Sequence, residues 1–200
     1  MEATVSFRDF EERDIDFIYK CKNDERLNSM IVGQWHPFTY SEAEKWVHGC
    51  MGEHETYKFW AICSNDKDNK IVGWASLSNI DRENRSVCHH GIFIGDNYYK
   101  DGSAMFEAML FTMDYAFTDL HAHRLYGSCL SAHKTSPHML NSLGFTLEGI
   151  RREAVIKREI FCDVLDYAIL EDEYRVKARK GEYDINCLII NFIKNIKGIK

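Results

Sequence analysis

The sequence predicts an α/β fold: a single mixed, mostly antiparallel central sheet flanked by helices, with a C-terminal extension helix. Apolar strand-like segments bounded by polar turns interleave with segments of helical periodicity. Their order reads β α α β β β α β α β β, which suits one sheet with helices packed on it. A turn of small residues, Gly102 and Ala104, also opens an apolar helical stretch directly after a strand. With 200 residues, 45% apolar and 28% charged, the chain has the length and balance of one soluble domain with a sizeable core.

In order along the chain, VSFRDF (5–10) alternates and reads as a strand. EERDIDFIYKCKN places Ile15, Ile18 and Tyr19 at helical spacing, and Pro37 in VGQWHPFT breaks that pattern. SEAEKWVHGCM (41–51) reads as a helix capped by Ser41, with Glu44 three residues on completing a capping box. YKFWAIC and KIVGWASLS form a hairpin around the polar turn SNDKDN. After DRENR (81–85), SVCHHGIFIG (86–95) is the next strand, followed by the Gly102 turn and the helix AMFEAMLFTMDYAFTDL. HRLYGSCL (123–130) is a strand. SPHMLNSLG (136–144) is a short helix, with Pro137 suited to its first position and Gly144 to its C-terminal cap. FTLEGIRREAVIKREIFCDVLDYAIL supplies two strands around a turn near Lys157.

Charge divides the chain in two. From Arg175 to Lys200 there are seven Lys or Arg and two acids, so this tail carries +5 and residues 1–174 carry −11 of the net −6. The partition expected is a domain over 1–174 and a basic amphipathic extension over 175–200. An acidic body argues against nucleic acid and is compatible with an amine substrate. In the tail, Ile185, Leu188, Ile189, Phe192, Ile193 and Ile196 share one helical face that must be buried. Docking on protein is the expected home of that face, with a homodimer compatible with it. No apolar stretch approaches the roughly 20 residues of a membrane span, and the acidic N-terminus shows no secretory pattern. Seven scattered cysteines without a C-x-x-C pair suit a reduced, cytoplasmic chain. The CHH run (88–90) is too crowded for a standard zinc site, so no metal is expected.

The strongest motifs are the turn Tyr99-Lys100-Asp101-Gly102-Ser103-Ala104, the DYAF…HR segment (114–124), and HKTSPHMLNSLGFTLEG with Ser136, Leu143-Gly144-Phe145 and Glu148-Gly149. Together they resemble the acyl-CoA-dependent N-acetyltransferases of the GNAT superfamily, and in particular its RimJ/RimL-like branch, which acetylates ribosomal-protein alanines. The resemblance covers roughly residues 4–174. It implies an enzyme moving an acetyl group from acetyl-CoA, as co-substrate, directly to a primary amine such as a protein N-terminus. A nucleotide-amino-sugar or polyamine acceptor is the alternative, as is a CoA-binding module without turnover.

The physics of the turn is consistent with this. A helix N-terminus offers unpaired N–H groups and partial positive charge, and small residues let a pyrophosphate approach them. The resemblance therefore implies cofactor binding by Tyr99, Lys100, Asp101, Gly102, Ser103, Ala104 and Met105. It also implies a splayed strand whose backbone at Ile92, Phe93 and Ile94 pairs with the pantetheine amides. His133 stands where the family has Asn and joins this set. A family Glu matches His89, which as neutral imidazole is the candidate general base. The family's usual proton-donating Tyr matches Leu140, so Ser136, which also looks like a helix N-cap, is the candidate acid. Trp35, Phe38 and Tyr40 are the candidate acceptor-binding residues.

Overall fold

The computed structural model describes residues 3–66, 68–95 and 102–197. Seven strands form one sheet in the order β1-β2-β3-β4-β5-β7-β6. They are β1 Val5–Arg8, β2 Lys58–Ser64, β3 Ile71–Asp81, β4 Ser86–Ile94, β5 Arg124–Leu130, β6 Thr146–Lys157 and β7 Ile160–Leu170. β4 and β5 run parallel, and the other neighbours are antiparallel. The helices are α1 Ile15–Lys22, α2 Glu25–Asn28, α3 Tyr40–Cys50, α4 Ser103–Asp114, α5 Ser136–Leu143, α6 Glu171–Arg179 and α7 Ile185–Lys197.

The central strands are buried on both faces, so their sequences are continuously apolar rather than alternating. Ile62, Ala75 and Leu77 join Phe106, Met109 and Met113 of α4 in the larger core. On the other face Ala61, Cys63 and Trp74 pack with Ile18 of α1 and Val47 of α3. β1 is held to α4 by Glu107, whose carboxylate accepts the Thr4 and Val5 N–H groups at 3.0 Å.

Several local expectations are corrected. α3 is capped by Thr39 and Glu42, two residues earlier than Ser41 and Glu44, because the Thr39 side chain accepts the Glu42 N–H while the Glu42 carboxylate accepts the Thr39 N–H. The long helix after Gly102 stays α-helical only to Asp114. Tyr115–Asp119 is a π-helical turn, in which Leu120 N–H reaches the Tyr115 carbonyl. Ser136 is the first residue of α5, not its cap, which is Thr135. The short α2 and the separate α6 were not read from the sequence. The latter starts with Glu171, Asp172 and Glu173 and ends near Lys177 and Arg179, a charge order that complements the helix dipole.

The extension docks on protein over part of its apolar stripe, while Ile193 and Ile196 stay 40% and 44% exposed. Leu188 is 3% exposed within the main core, and Ile189 and Phe192 pack against it. α7 lies across α4 and α5, and the Tyr183 hydroxyl donates to the Leu143 carbonyl at the end of α5. Among the described residues no helix is long and apolar enough to cross a membrane.

Candidate functional site

β4 and β5 pair only at Ser86–Arg124, Val87–Leu125 and Cys88–Tyr126. Beyond Cys88, β4 continues along β3 to Ile94, while β5 continues along β7 to Leu130. The two parallel strands therefore part at their C-terminal ends, where open α/β sheets bind ligands. On its β5 side the backbone from His89 to Ile94 loses its strand partner, which leaves it ready for an extended ligand. Gly127 stands at the fork, where a Cβ would lie 3.0 Å from the His89 carbonyl oxygen. A bulge sets two β4 residues at this level, since Leu77 pairs with His89 and the adjoining Ser76 with Gly91, leaving His90 extra.

Each parting strand feeds a helix. α4 begins after Gly102, whose φ of +88° is the left-handed region that favours glycine. Among the described residues the first rung of its ladder is Phe106 N–H to the Gly102 carbonyl at 3.0 Å, and the Ala104 and Met105 N–H groups lie ahead of it. Ser103 and Ala104 are buried at this start. Tyr99, Lys100 and Asp101, implicated by the same turn, lie outside the described residues. α5 starts after β5, and there His133 Nδ1 accepts the Ser136 N–H at 3.1 Å. His133 thus takes over the capping of α5, and burial lowers its pKa. Among the described residues the Ser136 hydroxyl forms no hydrogen bond, and Leu140 packs into the core.

The two histidines face opposite ways. His89 Nε2 lies 3.1 Å from the Thr112 hydroxyl on α4. That hydroxyl also sits 3.0 Å from the Ala108 and Met109 carbonyls. With its hydrogen committed to them, Nε2 donates to it and Nδ1 carries the lone pair. Desolvation, with the neighbouring His90 adding to it, lowers the His89 pKa to about 4, so the ring is neutral at pH 7. His90 instead lines a cavity with Trp46, Cys50, Tyr57, Phe59 and Ser78 on the α3 face.

A second groove, of about 510 Å³, runs from Cys88 over Tyr126 and Ser128 to Glu148, Arg151 and Asp166. Its carboxylates are committed: Glu148 accepts two hydrogen bonds from Arg124, and Asp166 two from Arg151 at 2.8 and 3.0 Å. The tip of the β6–β7 hairpin reaches back to the segment after α1. Arg158 pairs with Glu25 at 2.8 Å, and Lys157 donates to the Gly33 carbonyl.

The aromatic candidates are not gathered in one place. Trp35 donates its indole N–H to the Lys22 carbonyl at 2.6 Å. Phe38 packs on the smaller core, and Tyr40 turns outward to Asp16 and Tyr19. Sequence reasoning missed the Lys22 ammonium, which lies 4.6, 5.1 and 5.5 Å from the ring centres of Trp46, Trp74 and Phe38. It also missed Thr112 and the arginine pairs of the groove. Nothing in their spacing marks them, because their partners come from distant parts of the chain.

A family model described as the acetyltransferase (GNAT) domain matches residues 4–146. The [ribosomal protein uS5]-alanine N-acetyltransferase of Escherichia coli K12 is 33% identical over 92 residues, 46% of this chain and 47% of that one. The spermidine N(1)-acetyltransferase of Vibrio cholerae is 24% identical over 177 residues, 87% of this chain and 97% of that one. The chain spans about half the length of the first curated relatives it matches, 58% and 47% of theirs. Among solved structures, the Vibrio cholerae spermidine N-acetyltransferase in complex with CoA and spermine superposes with a TM-score of 0.77. It is 20% identical and covers 87% of this chain and 99% of that one, a likeness of fold.

Proposed function

The chain belongs to the acetyltransferase (GNAT) domain family, and from that membership we propose that it is an N-acetyltransferase moving an acetyl group from acetyl-CoA to a primary amine. The observation that carries this reading is the fork between β4 and β5 opening beside the α4 start. The residues present fit the co-substrate. Backbone groups of Ile92, Phe93 and Ile94 would take the pantetheine amides, and the Gly102–Met105 turn the phosphates. Bound there, acetyl-CoA would supply the activated acyl carbon.

His89, at the fork and neutral, would accept the proton of the incoming amine through water, since its ring lies on the α4 face while the Cys88–Tyr126–Ser128 groove opens on the other. With a pKa of about 4 the neutral His89 ring is a weak base in the ground state, so proton transfer must accompany N–C bond formation. As the C–S bond breaks, Ser136, at the start of α5, would give its hydroxyl proton to the departing CoA thiolate and regain one from water. The 1–174 domain would hold this machinery, and 175–200 would be an accessory part.

The acceptor would enter by the groove. With Glu148 and Asp166 each held by an arginine, the described groove residues offer a polycation no uncommitted carboxylate. This favours an amine on a neutral body, such as a protein N-terminus, over a polyamine. Cytoplasmic residence fits such an acceptor and the seven free thiols.

Thiol release from acetyl-CoA, measured across N-terminal peptides, polyamines and UDP-amino sugars, tests the reading. Turnover highest with peptides supports it. CoA binding without turnover on any amine would replace it with a binding module, and preference for spermidine would overturn the acceptor assignment.

A further inference from the structure

The family model ends at residue 146, and α7 lies well beyond it. Yet α7 packs on α4 and α5, the two helices whose N-termini follow the parting strands. Its Phe192 ring meets that of Phe106 edge-on, at 5.5 Å between centroids and 87° between planes. The same ring reaches the turn itself: a Cβ on Gly102 would lie 3.9 Å from Phe192 Cε1 and 3.9 Å from Phe106 Cδ2 and Cε2. Two aromatic rings thus border the left-handed residue that starts α4.

We propose that Phe192 of the C-terminal helix is a positioning residue for the nucleotide end of acetyl-CoA, holding the Gly102–Met105 turn in its phosphate-binding conformation. The inference rests on the acetyl-CoA reading of that turn. Gly102 can adopt many backbone conformations, so packing against it helps to hold the N–H groups that follow in one orientation. Phe106 belongs to α4 and moves with it. Phe192 comes from a different helix, one anchored by the buried Leu188 and by Tyr183, so it fixes the turn relative to the rest of the domain. The apolar rings also keep water from one side of the turn, which strengthens hydrogen bonds from its N–H groups to an anion. α7 itself carries two lysines, Lys194 and Lys197, and no acid, so the element that does this is positively charged.

The test compares two acetyl donors on the full chain, with melting temperature followed in parallel. Acetyl-CoA carries the phosphates. S-acetylpantetheine keeps the thioester and the pantetheine amides but has no phosphate or nucleotide. Phe192→Ala is expected to raise the KM for acetyl-CoA at least fivefold and to leave kcat/KM for S-acetylpantetheine within twofold. Phe192→Leu should recover part of the loss. Leu188→Ala, a substitution in the same helix away from the turn, should lower the melting temperature without this selectivity. An equal loss with both donors, or none, would show that Phe192 only stabilises the fold and would overturn the proposal. A wild-type chain that binds no CoA by calorimetry would instead remove the cofactor reading on which it rests.

Discussion

Gly102 carries a prediction in which two physical causes give opposite rankings. Substitution there could weaken CoA binding by placing a side chain in the path of the phosphates, or by straining the backbone. The structure favours strain. At φ +88° and ψ −1°, an ideal Cβ points at the Phe106 and Phe192 rings at 3.9 Å, ordinary contact distance. A methyl group fits, so Gly102→Ala incurs chiefly the left-handed penalty, roughly 1–2 kcal/mol for an L-residue. If relaxing that strain disorders the turn, CoA affinity falls roughly 5- to 30-fold, at about 1.4 kcal/mol per factor of ten. Asn tolerates the left-handed region better than Ala, and Val adds branching that the two rings resist. Calorimetric Kd values for CoA should therefore rank Gly tightest, then Asn, then Ala, then Val, with melting temperatures in the same order. Side-chain obstruction would make the bulkier Asn worse than Ala. That inversion, in folded variants, would refute the strain argument.

Other expectations follow from the same structure. His89→Gln should lower kcat/KM by about a hundredfold or more, with the melting temperature at pH 7.5 little changed. In the wild type the acidic limb of kcat/KM should fall near pH 4–5 rather than near the ordinary imidazole value, because burial holds the His89 pKa at about 4. The same shift reaches stability. Below about pH 6.5 the unfolded chain takes up a proton that folded His89 refuses, so this contribution to stability declines as pH falls from 6.5 to 4, by up to about 1.4 kcal/mol per pH unit. Denaturant titrations of His89→Gln should lack that component, and an unchanged pH slope would count against the buried neutral ring. Lys22→Met should raise the melting temperature, since burial lowers the Lys22 pKa and three aromatic rings offer Met an apolar home; a fall would mean the cation–π contacts outweigh desolvation. Leu188→Ala should cost about 2–4 kcal/mol in denaturant unfolding, and a loss below about 1 kcal/mol would mean that α7 is only loosely docked.

Local periodicity and turn chemistry specify the order of the seven strands and of the longer helices, the apolar central strands and the place of the small-residue turn, but not the short α2 or α6. The sequence also marked the tail stripe and required that it be buried. Where it is buried depends on how the helices pack over the sheet. The stripe alone could not tell its own domain from a twin, and the burial of Leu188 with the contact of Phe192 on Phe106 resolved this for residues 185–192. Boundaries moved wherever two local solutions competed: Thr39 with Glu42 and Ser41 with Glu44 both spell a capping box, and hydrogen bonding selects the first. The roles of the polar residues were the least legible. His89 and His90 are adjacent, and alternation says only that they diverge. That His89 meets Thr112, 23 positions later, while His90 turns toward Trp46, depends on which helix covers which face of the sheet. Likewise the acidic body is compatible with a cationic or amine substrate, but within the groove Glu148 is paired with Arg124 and Asp166 with Arg151 across strands. Net charge is a sum over the chain, whereas the field in a groove depends on which charges the fold brings within a few ångströms of one another.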